Sequence, residues 1–138
     1  MKKVISIAIA LIILISLVSL GKQEFTIIGK WKGQEKGSTV TYMEFDEEGY
    51  VSMRRNDEVM GGKDFKIKGE AFSMFYTTDF EKNPPQLDVT VTRKSTGAQR
   101  KMFGVIKIVN NNNIIISLTE RIRPENFDGP EAISFKRQ

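Results

Sequence analysis

The cleanest alternation in the chain is Leu87-Asp88-Val89-Thr90-Val91-Thr92. Its apolar residues fall on every second position. Successive side chains of an extended strand point to opposite faces, so Leu87, Val89 and Val91 form one row facing a core and Asp88, Thr90 and Thr92 a polar row. A helix would scatter the apolar row around its circumference. The same period of two extends outward along the chain, through 29–34, 39–45, 50–55, 63–68 and 71–77 before it and 101–109, 114–119 and 132–137 after it. In 39–45 the alternation places Thr41, Met43 and Phe45 on one face, and in 63–68 Phe65 and Ile67 alternate with lysines and an acid.

What lies between these runs is turn chemistry. Asp46-Glu47-Glu48-Gly49, Asn56-Asp57, Gly61-Gly62, Ser95-Thr96-Gly97 and the four asparagines 110–113 are residues that tolerate turn geometry or positive φ. Pro84, Pro85, Pro124 and Pro130 all fall in two longer connections, outside the strand interiors. Nine short strands with no internal repeat and no linker imply an all-β fold: an antiparallel meander closing into a small eight- to nine-stranded barrel. Closure is preferred to a sandwich because it removes exposed strand edges.

The N-terminus stands apart from this pattern. Met1-Lys2-Lys3 precedes an uncharged apolar run from Val4 to Leu20, the form of an export signal helix. Ser19 and Gly21 are the small residues a peptidase reads when it cuts after Gly21. The preferred reading is a signal peptide at 1–21 and a single domain at 22–138, in the periplasm or outside the cell. The alternative is an uncleaved membrane anchor over 4–20, since about 17–25 residues span a bilayer. No cysteine follows Leu20, so lipid attachment through a thiol is excluded.

Composition removes several function classes. The 138 residues contain no cysteine and no histidine, which excludes disulfides, thiolate metal sites, imidazole general bases and nucleophile systems built on either residue. Removing 1–21 takes away Lys2 and Lys3 and no acid, leaving 19 basic and 17 acidic side chains on 117 residues. Charges this balanced and interspersed argue against nucleic acid as a partner. We expect no cofactor, no resident metal and a monomer.

Counting by twos from the first strand, Gly29 and Trp31 share a face, as do Ile133, Phe135 and Arg137 in the last. If these strands are neighbours with those faces inward, Arg137 lies over the Trp31 indole and seals the barrel seam, a cation–π contact worth about 1 kcal/mol. A buried tryptophan with a solvated terminal arginine is the competing arrangement. Gly29-Lys30-Trp31 with a basic residue at the end of the last strand resembles the lipocalin-like (calycin) domains, whose opening Gly-x-Trp packs against such a residue. Asn83-Pro84-Pro85-Gln86-Leu87-Asp88, then Arg123-Pro124-Glu125-Asn126-Phe127 and Phe135-Lys136-Arg137, are similar in kind and order to the planctomycete-type lipocalin-like domains. Those domains often carry a cysteine ahead of the Arg-Pro step, where 117–122 has none. The resemblance spans nearly the whole domain and implies an exported barrel with no assigned activity.

The candidate sites follow from the barrel. A small apolar or amphipathic ligand inside it would meet Met43, Phe45, Met53, Phe65, Met74, Val89, Ile106 and Ile116, with Arg121 and Arg123 at one mouth to receive an acidic end. For Arg123 an internal ion pair is the favoured role, because Pro124 and Phe127 read as anchors of this loop against the barrel end. The other readings are a cell-envelope interaction or structural module with a filled core and, remotely, a hydrolase built on a carboxylate pair, Asp79 with Glu81 or Asp88 with Glu120. The non-enzymatic reading is preferred, with no catalytic residues. Asp46-Glu47-Glu48 lacks the ligand spacing of a calcium loop and reads as a solvated turn.

Overall fold

The computed structural model describes residues 24–34 and 40–138. The expected signal segment at 1–21 and its cleavage point lie outside the described residues. Nine antiparallel strands form a closed barrel in chain order: β1 (Gly29–Gly33), β2 (Val40–Phe45), β3 (Val51–Arg55), β4 (Glu58–Ile67), β5 (Glu70–Asp79), β6 (Gln86–Arg93), β7 (Gln99–Asn110), β8 (Asn113–Thr119) and β9 (Ala132–Arg137). The meander closes where β9 pairs with β1, Trp31 opposite Arg137 and Gly33 opposite Phe135.

An odd number of strands cannot close a ring in which every neighbour is antiparallel, because the last strand would return parallel to the first. β4 resolves this by bending. Its first part pairs with β3, from Arg55 opposite Glu58 to Ser52 opposite Gly61. Its second part pairs with β5, from Gly62 opposite Met74 to Ile67 opposite Glu70. Below the bend Tyr50 bridges Phe75 directly, so β3 and β5 meet and two hairpins fork above them. The corner sits at Gly61 and Gly62, with φ of 117° and 81°. A Cβ on Gly61 would collide with the Val51 carbonyl oxygen and lie 2.6 Å from the Ser52 Cα. The Gly-Gly pair, expected to be a turn, is therefore a bend inside a longer strand.

A second departure is local. The register slips between Val40 and Tyr42, a β-bulge that takes Thr41 out of the inward row expected for it and leaves it exposed. Ile67, which the alternation of 63–68 places in the apolar row with Phe65, is exposed near the tip of its hairpin. The core is otherwise the inward row of each strand: Trp31, Met43, Phe45, Val51, Met53, Met74, Leu87, Val89, Ile106, Ile114, Ile116 and Phe135 are all buried.

Register assigns the connections to two ends. Residues 24–28, the turns at 46–50 and 111–112, the connection 80–85 and the C-terminus gather at one end. The turns at 56–57, 68–69 and 94–98 and the connection 120–131 gather at the other. The first end is closed. Trp31 Nε1 donates to the Ile27 carbonyl at 2.8 Å, and Phe25 packs against both Trp31 (6.3 Å between centroids) and Phe80 (5.8 Å). The Arg137 guanidinium lies 4.2 Å over the indole. It donates to the carbonyls of Thr26 (2.7 Å), Ile28 (2.9 Å) and Asn111 (2.9 and 3.0 Å), tying the chain's beginning, its last hairpin and its end together. Gly29, at φ 134°, permits this approach, since a Cβ there would sit 3.0 Å from Arg137 Nη1.

Tyr76 braces the neighbouring turn. It meets Phe45 edge-on at 4.9 Å and donates its hydroxyl to the Asp46 carbonyl at 2.9 Å. Burial, and after it the negative charge of Asp46, hold the Tyr76 phenol above its ordinary ionisation range. The neutral phenol is thus favoured by folding, and its contribution is complete below the ordinary phenol range and lost as pH rises through the raised value. Burial, and after it Glu44, also raise the Tyr42 phenol, so an alkaline absorbance titration should show late ionisation from both tyrosines, and Tyr76→Phe should reduce its amplitude by the Tyr76 share. Superimposable wild-type and variant curves would contradict this.

Candidate functional site: a methionine-lined cavity at the open end

Among the described residues this second end is open and leads into a cavity of about 470 Å³, within the size range of small-molecule sites. Its floor is Met43 and Phe135, and Ile116, Leu118, Ile133 and Val91 form much of its wall. The sequence contains six methionines, and every one except Met1 lines this cavity: Met43, Met53, Met60, Met74 and Met102. Three form a cross-strand row, Met43 opposite Met53 and Met53 opposite Met60. Residues opposite one another on adjacent strands have Cβ atoms about 4.5–5.5 Å apart. Met74 joins the row across the β4 bend, where the hydrogen in place of a Gly61 side chain leaves room for its terminal methyl. The remainder of the core, toward the closed end, is Trp, Phe, Leu, Ile and Val. Unbranched thioethers are therefore concentrated where the space is, and their flexible, polarizable chains adapt to irregular shapes.

The rim combines Val40, Arg55, Thr119, Glu120, Pro130 and Glu131. Among the described residues the ion pairs lie elsewhere: Arg93 with Glu70 at 2.9 Å, Lys94 with Asp64, and Arg123 with Asp88.

Of the residues expected to meet a ligand, Met43, Met53, Met74 and Ile116 line the cavity. Phe45, Val89 and Ile106 are buried toward the closed end. Phe65 is half-buried against Phe72, 5.8 Å away, and is not part of the lining. Neither Arg121 nor Arg123 lines the cavity. Arg121 is exposed. Arg123 lies across the outer face of β6 and β7, where Nη1 reaches Asp88 Oδ1 at 2.7 Å and donates to the Gly104 carbonyl at 2.9 Å. Its guanidinium stands 5.4 Å over the Phe103 ring. Asp88 belongs to the outward row of β6, so this pairing fixes the 120–131 connection against the outside of the barrel. With both partners only about a quarter exposed, Arg123→Met should lower stability by about 1–3 kcal/mol, through a part-buried carboxylate left without its counter-charge and a Gly104 carbonyl left without its donor. Denaturant unfolding unchanged within error would contradict that role.

Met60 and Met102 also line the cavity, and no regular alternation marks either of them. Met60 precedes the Gly-Gly pair read as a turn, and Gly104 interrupts the apolar row that counting back from Ile106 would have carried to Met102. The acidic turn Asp46-Glu47-Glu48 uses its first carboxylate internally, Asp46 Oδ1 accepting from the backbone N–H of Glu48 (3.0 Å) and Tyr50 (2.8 Å). Among the described residues no group of three or more Asp or Glu is placed to hold a metal ion.

Comparison with protein-family models, curated proteins and solved structures finds no match to this chain in any of the three. The closed nine-strand meander is compatible with a lipocalin-like barrel.

Proposed function

We propose that this chain is an exported, monomeric, non-enzymatic carrier that holds a small apolar ligand in the open end of a lipocalin-like barrel, and that it belongs with the planctomycete-type lipocalin-like domains. The family assignment is supported by the order of Gly29-Lys30-Trp31, Pro84-x-x-Leu87-Asp88, Arg123-Pro124-x-x-Phe127 and the terminal Arg137. Export is supported by Lys2, Lys3 and the apolar run that follows, with the periplasm or the cell exterior as destination. The observation that carries the binding function is the segregation of five methionines into one cavity while the rest of the core is filled by branched and aromatic side chains.

Organic-solvent extraction of the protein purified from its native cell, followed by mass spectrometry, identifies a resident lipid directly. A panel of apolar compounds is then titrated while Trp31 fluorescence is followed, since Trp31 stands opposite Met43 of the cavity floor. Met74→Trp should fill the cavity and abolish binding. An empty extract with no saturable response across the panel would remove the carrier function. Intact-mass analysis of the same material should find a chain beginning near Lys22, and retention of Met1 would favour an anchor over 4–20.

A further inference from the structure

Resting on the reading of the cavity as a ligand site, we propose that its ligand is an apolar molecule with a cationic end, of the alkyl-ammonium class, whose charge is met by Glu120 and Glu131. The rim carries these two carboxylates against the single guanidinium of Arg55. The two arginines expected to receive an acidic end are not there: Arg123 is held by the Asp88 carboxylate and the Gly104 carbonyl on the outer face, and Arg121 is outside the lining, which leaves Arg55 as the one cation against two carboxylates.

The wall agrees with the rim. An anionic end needs hydrogen-bond donors, whereas a thioether sulfur is a weak acceptor with no proton to give. Five methionines therefore offer polarizable electron density to a cation and nothing to a carboxylate. An acidic end would also approach two carboxylates of its own sign, while an ammonium end would be drawn to them.

Three probes with the same twelve-carbon chain separate the possibilities: dodecyltrimethylammonium, dodecanol and dodecanoate, each kept below its micelle-forming concentration and titrated calorimetrically into the purified protein. The expected order is ammonium tightest and dodecanoate weakest, with ammonium binding about three- to tenfold tighter than dodecanol, a difference of about 0.7–1.4 kcal/mol. The ammonium advantage should shrink as salt rises, as for charges near the surface. The double variant E120Q/E131Q should bring ammonium affinity down to the level of dodecanol, with circular dichroism and an unfolding curve showing that the variant is folded. Dodecanoate binding as tightly as the ammonium, or an unaltered ammonium affinity in the double variant, would overturn the cationic preference and leave the cavity as an apolar site. Failure of all three probes to bind would overturn the preference and the binding site together.

Discussion

Replacing Trp31 by alanine is expected to lower stability by about 3–5 kcal/mol, the range for a large aromatic removed from a core. Trp31 is fully buried. Its indole carries the Arg137 guanidinium on one face, packs against Phe25 and donates to the Ile27 carbonyl. Truncation therefore opens a void and releases the segment that caps the closed end. It also removes the surface on which Arg137 lies while bonding to Thr26, Ile28 and Asn111. Chemical denaturation monitored by circular dichroism measures the loss, and a change under about 1 kcal/mol, far below that range, would mean that the seam does not depend on the indole.

The second large effect is expected at the β4 corner. Gly61→Ala places a methyl group against the Val51 carbonyl and the Ser52 Cα at a φ of 117°. A residue forced into sparsely populated backbone space costs about 1–3 kcal/mol, and overpacking typically costs about 1–3 kcal/mol more. The backbone on one side is held by strand pairing and cannot retreat, although the Met74 side chain can. Gly62→Ala supplies the contrast, because no atom lies within 4 Å of its added Cβ and only the φ of 81° opposes it. The Gly61 variant should lose at least about 2 kcal/mol, combining strain and overpacking, and the Gly62 variant about 1–2 kcal/mol from backbone conformation alone. Equal losses at the two positions would show that the tight packing at the corner is unimportant.

These two sites also mark what was legible in the sequence. The period of two in 87–92 and its neighbours defines strands and an inward row, and tight turns between them leave little choice but a meander. What escaped was the accommodation a closed ring demands. Gly61-Gly62 has the local chemistry of a turn, and only the need to close nine antiparallel strands makes it a corner within β4. That misreading hid Met60, and with it the row Met43, Met53 and Met60. Thr41 fell on the wrong face for a similar reason, since a bulge changes parity without a distinctive residue to announce it.

The charged groups were harder to place than the apolar ones. Arg121 and Arg123 are two residues apart and follow a strand that leads to the open end, so parity alone points both toward the mouth. The connection instead turns back over the barrel, drawn by the Asp88 carboxylate 35 positions earlier in the chain. Such a pairing depends on which outward side chain lies beneath the loop. Glu131 reaches the rim by the return of the same connection, and no periodicity marks it.

Methionine-methyl NMR reports whether a ligand occupies the methionine-lined cavity. The protein is labelled with carbon-13 at its methionine methyl groups, and the signals are assigned by single Met→Leu variants and followed as dodecanol is added. The resonances of Met43, Met53, Met60, Met74 and Met102 should shift together and saturate at one equivalent, because all five line one space. Methyl signals that stay in place, or a saturable shift confined to one methionine, would contradict a ligand seated in that cavity.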